Sequence, residues 1–220
     1  HPDISLSILR SMPQSSLSIG KNYATWALLL AQARDKVYGK RLPDSLNIPS
    51  SDKLVQDAMD YFEKEGDLKR MAQTYYYKGQ LLKDQKKITE AMPFFLKSKE
   101  MMTKLDEPLF TYLICQSLGN MYRYQDLYEE SLVQLKDAYQ YALRSGNGER
   151  ISYALSELGR TYVHKNEMDS ALFYFGKSLD NAQRLGNIEL EAMAMGELGV
   201  VYNKLSQGEK ALHYSRKELD

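Results

Sequence analysis

Four glycines occur in strict register along this chain. Gly79, Gly119, Gly159 and Gly199 are 40 residues apart, and the same chemical types recur at fixed distances after each one. The positions three, twelve and sixteen after the glycines hold, in order, Leu82, Tyr122, Tyr162 and Tyr202; Ala91, Ser131, Ala171 and Ala211; and Phe95, Leu135 and Phe175. A fixed period of this length is typical of a repeat array, so the chain is expected to fold as copies of one unit.

Each unit is predicted to be a pair of α-helices. The small and apolar positions within a unit are spaced by three and four residues, which is the spacing of one helix face, and nothing alternates with the period of a strand. Glycine inside a helix costs about 1 kcal/mol relative to alanine. A glycine kept in four units therefore indicates close packing, and we expect the small residue twelve positions later to meet it from the second helix.

The repeated motif resembles a known helical repeat. The motif Leu-Gly, followed by a tyrosine three residues after the glycine, resembles the tetratricopeptide repeat (TPR). It occurs at Leu118-Gly119, Leu158-Gly159 and Leu198-Gly199, and Lys78-Gly79 carries it with less fidelity. The usual TPR unit has about 34 residues, so these units are longer by about six, and the closing proline is missing. The resemblance covers at least residues 68–214. It implies an all-α fold, a right-handed TPR α-solenoid of stacked antiparallel helix pairs.

The register divides the chain into segments. We expect a single TPR domain over residues 1–220, with a long helix from about Lys21 to Lys40 and a new helix from Ser51 or Asp52. A short helix is predicted over residues 3–11. The last helix ends in mid-pattern, so more protein is expected after Asp220. The expected segments are a partial leading helix and turn at 1–20, a divergent helix pair at 21–66 with an inserted loop at 41–50, repeats at 67–106, 107–146 and 147–186, and a truncated repeat at 187–220.

The turns between units follow the same period. A left-handed residue that ends a helix is expected at Gly66, Asp106, Gly146 and Gly186. The next residue is expected to cap the following helix at Asp67, Asn147 and Asn187, because their side chains can accept a hydrogen bond from a free amide.

Four further residues lead to predictions about helix starts. Pro108 is predicted at a first helical position, where its missing donor costs little. Thr89 and Asp169 are predicted to cap second helices. Pro93 then lies near the end of a first turn, so we expect a small local distortion and no break.

The charge balance, the length of the apolar runs and the cysteine count argue against some classes of partner and site. The 29 basic and 29 acidic residues cancel, so nothing favours the phosphate contacts that dominate nucleic-acid affinity, and no nucleic acid is expected to bind this segment. The longest apolar run, from Ala24 to Ala33, is too short to cross a bilayer. The single cysteine excludes an intrachain disulfide framework and a four-cysteine zinc site.

No arrangement of residues with catalytic or metal-binding spacing is found. His1, His164 and His213 lie in no metal-ligand pattern with each other or with cysteine. Cys115 occupies a position where the repeat requires a small buried residue, so it is interpreted as a packing residue. We therefore expect a binding module with no catalytic residue, metal or cofactor, and we expect no enzyme activity.

The TPR resemblance assigns a binding surface to the first helix of each unit. In TPR proteins the concave side is lined by positions six and three before the glycine and one, four and five after it. The candidate binding residues are Tyr76, Gln80, Gln116, Asn120, Arg123, Tyr124, Tyr153, Arg160 and His164. The same offsets also select Gln73, Lys83, Asp84, Leu113, Ser156, Val163, Met193, Gly196, Val200, Asn203 and Lys204.

These candidates mix amide, cationic and aromatic groups. Such a mixture suits an extended peptide held by its backbone and by an acidic or terminal group, while the alternative is an ordinary solvated surface. The TPRs that hold chaperone tails use lysine three before the glycine and asparagine one after it. Asn120 matches that pattern, but Gln116 stands at the lysine position and Glu157 at a later position where a cation is expected. The incomplete clamp disfavours chaperone-tail binding.

The long units resemble those of bacterial regulatory TPR proteins, including peptide receptors and the extracytoplasmic parts of membrane-anchored regulators. The expected function is therefore the recognition or sensor part of a larger regulatory protein, with a protein or peptide partner. The alternatives are a cytoplasmic peptide-receptor regulator whose DNA-binding domain is not in this sequence, a self-assembling scaffold, and an enzyme whose catalytic part lies elsewhere. The resemblance favours an extracytoplasmic location, as in a lipoprotein, and a cytoplasmic location remains the alternative.

Overall fold

The computed structural model of the chain describes residues 20–36 and 51–217, and all regular secondary structure in these residues is α-helical. The helix predicted over residues 3–11 and the inserted loop at 41–50 lie outside the described residues. The helices that the sequence predicts from Lys21 and from Ser51 begin at those residues. In chain order the helices are α1 Lys21–Lys36, α2 Ser51–Glu65, α3 Leu68–Asp84, α4 Ile88–Lys104, α5 Pro108–Tyr124, α6 Tyr128–Ser145, α7 Gly148–His164, α8 Met168–Leu185, α9 Ile188–Lys204 and α10 Gly208–Lys217.

The helices belong to two compact units, His1–Leu105 and Asp106–Asp220. The first unit contains α1 to α4 and the second contains α5 to α10. The division falls one residue before the point where the sequence places the end of one repeat, at residue 106, and the start of the next. The prediction of a single domain over residues 1–220 stays a prediction, since each unit is compact by itself.

The predicted repeats are helix pairs. Within α3/α4, α5/α6, α7/α8 and α9/α10, three residues separate the two helices. The left-handed turns between repeats are confirmed. A second series lies inside the repeats, so a left-handed residue ends a helix at every twentieth position: Gly66, Lys86, Asp106, Asp126, Gly146, Asn166, Gly186 and Ser206.

The predicted caps between repeats are confirmed, but those inside repeats are wrong. The side chains of Asp67, Asn147 and Asn187 accept hydrogen bonds from the amides of Arg70, Arg150 and Leu190 at 3.0–3.1 Å, respectively. Pro108 begins α5 as predicted. Thr89 and Asp169 do not cap second helices, because α4 and α8 begin one residue earlier, after Lys87 and Glu167. The helix that contains Pro93 runs unbroken from Ile88 to Lys104.

The motif glycines make room for a large side chain. A β-carbon on Gly119 would lie 2.6 Å from Cγ of Leu135, and one on Gly159 would lie 2.5 Å from Cε1 of Phe175. The corresponding distance from Gly79 to Phe95 is 3.0 Å. The glycines are therefore packing positions as predicted, but the residue sixteen positions later fills the space. The prediction that the small residue twelve positions later meets the glycine is confirmed at Gly119, where the backbone oxygen of Ser131 would lie 3.3 Å from the added β-carbon. Ala91, Ser131 and Ala171 are fully buried.

In the second unit the first helices of successive repeats lie side by side. Helix α7 contacts both α5 and α9, as well as its partner α8. Buried polar side chains fix α8 against α7: the hydroxyl of Ser178 donates to the carbonyl of Ser152 at 3.0 Å, and the amide of Asn181 donates to the carbonyl of Gly148 at 2.8 Å. These bonds hold the α7 backbone in place, and with it the side chains on its opposite face.

Cys115 packs as the sequence predicts. It is a free thiol, fully buried in an apolar cluster with Tyr112, Ala138, Ala142 and Ala154. Within residues 20–36 and 51–217, no helix combines the length and the apolar character that crossing a bilayer requires.

Candidate binding cleft

The second unit contains a cleft of about 940 Å³ between the first helices of its repeats and the terminal helix. We call it the second-unit cleft. Its size lies in the upper part of the usual range for ligand sites, about 300–1,000 Å³. It is lined by Arg123, Tyr124, Arg160, Val163, His164, Phe175, Met193, Gly196, Glu197, Gly199, Val200, Asn203, Gly208, Ala211 and Leu212.

Many of these residues stand at the offsets that the TPR resemblance assigns to the concave side. Four of the nine candidate residues line the cleft, namely Arg123, Tyr124, Arg160 and His164. Five further residues at the same offsets line it as well: Val163, Met193, Gly196, Val200 and Asn203. The register of the repeats thus brings side chains from α5, α7 and α9 together around one space.

One part of the cleft surface is apolar. Val200 is 57% exposed on α9, and Leu212 on α10 is exposed as well. Tyr124, at the end of α5, is largely exposed, and the guanidinium carbon of Arg123 lies 5.9 Å from the centre of its ring. An apolar ligand group can be buried against exposed aliphatic and aromatic side chains that share a cleft, and this burial is favourable.

Arg123 is not available to an outside anion. Its side chain is only 8% exposed, and Nη1 lies 2.7 Å from Oε2 of Glu157 on α7. The same nitrogen donates a hydrogen bond to the carbonyl oxygen of Glu157 at 3.3 Å. The prediction that Arg123 helps to hold an acidic or terminal group is therefore corrected, since a carboxylate of the protein already occupies that role.

Arg160 is also paired within the protein. Its Nε donates to Oε1 of Glu197 at 2.6 Å, and its Nη1 donates to Oε1 of Glu157 at 2.9 Å. The arginine side chain is 41% exposed, while that of Glu197 is 12% exposed. Four charges thus alternate across three helices, and we call Arg123, Glu157, Arg160 and Glu197 the charge quartet. Its two positive and two negative charges cancel.

Burial and neighbouring charges shift the pKa values of two members of the quartet, Glu197 and Arg160. Burial raises the pKa of Glu197 above its ordinary value, although the charge of Arg160 and hydrogen bonds from Ser156 and Arg160 oppose the rise. For Arg160, burial alone would lower the pKa, but the attraction of Glu197 and Glu157 outweighs it, so the pKa of Arg160 is raised. Arg160 therefore remains charged, while Glu197 takes up a proton more readily than an exposed glutamate.

The other five candidates lie elsewhere. Tyr76 in the first unit is 4% exposed, and its hydroxyl accepts a hydrogen bond from Nε2 of Gln80 at 3.0 Å. Its ring packs edge-to-face on Phe95, which makes Tyr76 a packing residue and corrects its assignment to a binding surface. Gln80, Gln116, Asn120 and Tyr153 are at least partly exposed and are not among the residues that line the second-unit cleft.

The TPR offsets did not select Glu157 and Glu197 as binding residues, nor did they select Leu212 on the last helix, α10. Glu157 and Glu197 both stand two residues before a motif glycine, in the repeated tripeptide Glu-Leu-Gly at 157–159 and 197–199. That repetition was a usable signal, because a charged residue kept in register next to a packing motif needs a partner. Leu212 on α10 could not be found from the offsets, which consider first helices alone.

No group of three or more histidine, cysteine, aspartate or glutamate residues in the described part of the chain is arranged to hold a metal ion.

Comparison with known proteins gives a fold but no close relative. No family model matches the chain, and no curated protein does either. Solved structures do match. BtubC (BKLC) from P. vanneervenii has a TM-score of 0.75 at 15% identity, over 99% of this chain and 86% of that one.

Two further solved structures match this chain. A signal transduction ATPase with numerous domains (STAND) from Pyrococcus horikoshii, described as having a tetratricopeptide repeat sensor, has a TM-score of 0.70 at 20% identity. This chain has the TPR fold. The match covers 86% of this chain and 28% of the STAND protein.

A Rap protein in complex with competence and sporulation factor also matches, with a TM-score of 0.61 at 13% identity, over 89% of this chain and 62% of that one. The TPR chain described here thus spans less than two thirds of the STAND and Rap chains. At these identities the similarity shows the all-α TPR fold alone, with the helix pairs that the motif Leu-Gly-x-x-Tyr predicts.

Proposed function

We propose that this chain is a peptide-recognition module, and that the second-unit cleft holds an extended segment of a partner protein or a free peptide. In this proposal the chain is the recognition or sensor part of a larger regulatory protein and is not an enzyme. The observation that carries the proposal is the cleft itself, whose lining combines exposed Val200, Leu212 and Tyr124 with three members of the neutral charge quartet, Arg123, Arg160 and Glu197.

The geometry of the cleft supports a peptide better than a compact small molecule. The cleft is open along the first helices of successive repeats, and its polar groups come from three different helices, α5, α7 and α9. An extended peptide presents side chains and main-chain amides at regular intervals, so it can contact several repeats at once. The apolar residues then supply affinity by burial, and the polar groups fix orientation.

The comparisons support the same proposal by analogy. One similar fold is described as a sensor within a signal-transduction ATPase, and another was solved with competence and sporulation factor bound to the protein. Both matching chains are longer than this one, which agrees with a module that works as part of a larger protein. Fold similarity is an analogy for function, so the proposal depends on the cleft and needs a direct test.

The test uses a displayed library of random peptides selected on the immobilised 220-residue chain. Peptides enriched on the wild type are then measured for binding to Val200→Glu and to Val133→Glu. The two valines are each 57% exposed, but only Val200 lines the cleft. A charge placed among apolar contacts leaves a desolvated group unpaired, so Val200→Glu should weaken binding by about tenfold or more.

Val133→Glu is the matched control, because it adds the same charge on α6 at the same exposure. The proposal predicts that Val133→Glu binds like the wild type. Equal loss in both variants, or no peptide enriched above the uncoated support, would overturn it.

A further inference from the structure

We propose that Glu157 and Glu197 determine which peptides the second-unit cleft accepts. By pairing both arginines internally, they turn it into a site for an apolar side chain next to a basic or amine group, and they exclude acidic peptides. This inference rests on the proposed function and specifies the chemistry of the ligand.

The first step is the charge of the site. A cleft with two arginines on its floor would ordinarily attract carboxylates, because guanidinium groups bind them with two parallel hydrogen bonds. Here Arg123 lies 2.7 Å from Glu157, and Arg160 lies within 3 Å of both Glu157 and Glu197. An acidic ligand would have to compete with carboxylates already in place, and it would bring a negative charge close to them.

The second step concerns the hydrogen bonds that the carboxylate of Glu197 can still accept. The carboxylate of Glu197 accepts hydrogen bonds from Arg160, through Oε1, and from Ser156, while its Oε2 is buried and has no donor in good hydrogen-bond geometry among the described residues. A buried oxygen without a donor is unfavourable, and an ionised carboxylate can only accept. After a small rotation of the side chain, Oε2 can take a proton donor from a ligand ammonium, guanidinium or main-chain amide. It offers nothing to a ligand carboxylate.

The third step is the position of the apolar surface. Val200 lies three residues after Glu197 on α9, and therefore on the same face of that helix, with Leu212 of α10 lining the same cleft. An apolar ligand side chain seated on Val200 and Leu212 would bring a neighbouring basic group towards Glu197. Residues three apart on a helix have β-carbons about 5–6 Å apart. This separation is close to that of side chains two residues apart in an extended peptide, which point to the same face.

Glu197 is the better residue to vary. Removing Glu157 would leave the buried Arg123 without its ion pair, which threatens the fold. Replacing Glu197 by glutamine keeps the shape of the side chain, and Arg160 retains Glu157. The quartet then carries one net positive charge, and part of Arg160 becomes available to the cleft.

The experiment repeats the random-peptide selection on the wild type, on Glu197→Gln and on Glu129→Gln, and compares the charge of the enriched peptides. Glu129→Gln is the matched control, since Glu129 is an exposed carboxylate on α6 that pairs with Lys165 outside the cleft. The wild type should enrich peptides that have lysine or arginine two residues from a large apolar residue, and deplete aspartate and glutamate. On Glu197→Gln the enrichment of acidic peptides should be about tenfold higher than on the wild type. On Glu129→Gln it should equal that on the wild type.

Enrichment of acidic peptides on the wild type, or enrichment that does not depend on peptide charge, would by itself overturn the inference. The inference would also fail if folded Glu197→Gln enriched peptides of the same charge as the wild type. These outcomes leave the proposed function standing, because peptides would still bind. Failure to enrich any peptide would overturn both.

Discussion

Nε of Arg160 lies 2.6 Å from Oε1 of Glu197, which stands 37 residues later and on the first helix of the next repeat. The same guanidinium reaches Glu157 on its own helix. The contact therefore joins two repeats and neutralises a cation that the sequence had suggested for a ligand. Glu197 is largely buried, so the cost of removing its carboxylate from water offsets much of the attraction to Arg160, and the main effect of the pair is on the charge of the cleft.

The first prediction concerns pH. The pKa of Glu197 is raised in the folded protein, so its ionisation disfavours the folded state relative to the unfolded chain. As the pH falls below the raised pKa and on to the ordinary value of 4.5, that penalty is relieved. The free energy of unfolding of the wild type should thus rise relative to that of Glu197→Gln as the pH falls through this interval. Urea unfolding of both proteins at several pH values measures the difference, and a constant difference would contradict the assignment.

The second prediction concerns the motif glycine of the third repeat. Gly159→Ala places a β-carbon 2.5 Å from the ring of Phe175, which is held between helices, so overpacking should lower the free energy of unfolding by about 1–3 kcal/mol. Gly176→Ala in α8 is the control, because a β-carbon there would meet no atom within 4 Å. That variant should be more stable by about 0.5–1 kcal/mol, since alanine favours the helix. Denaturant unfolding distinguishes the two, and the same sign for both would refute the packing role of Gly159.

The third prediction concerns helix caps. Asn187→Ala removes the hydrogen bond to the amide of Leu190 and should cost about 0.5–2 kcal/mol of stability. Lys87 occupies the equivalent cap position of α4 without a side-chain bond to the helix, so Lys87→Ala should change stability little. Equal effects on the two unfolding curves would show that the cap bond of Asn187 is energetically unimportant.

The fourth prediction concerns the turns inside the repeats. Lys86 has a φ of 62°, a conformation that costs an L-residue roughly 1–2 kcal/mol. Lys86→Gly should therefore be clearly more stable than Lys87→Gly, where φ is −90° and glycine only adds freedom to the unfolded chain. Thermal unfolding of the two variants tests this, and a lower melting temperature for Lys86→Gly would be evidence against strain at the turn.

The sequence predicted the helix pairs and the turns and caps between repeats because these depend on local signals. The spacing around Gly119 and Gly159 defines helix faces, and Asn147 and Asn187 mark helix starts. The sequence did not identify Phe175 as the side chain nearest to Gly159, since offsets along the chain do not give the direction in which a side chain points across the helix pair. The pairing of Arg160 with Glu197 depends on how far apart α7 and α9 lie, which spacing along one helix cannot supply.

The candidate site was predicted in part for the same reason. Offsets within first helices brought together Arg160, His164 and Val200, all of which line the cleft. They also selected Tyr76, whose ring is used in packing against Phe95. Whether a side chain at a given offset faces a ligand or a neighbouring helix depends on the size of the residues around it.

The central claim is that a peptide binds in the second-unit cleft, and amide NMR shifts measured during titration with a selected peptide test it most directly. The account predicts that the largest shifts fall on α5, α7 and α9 around Arg160 and Val200, and that they diminish in Val200→Glu. Shifts concentrated on α6 and α8 around Val133 and Phe173 would contradict it.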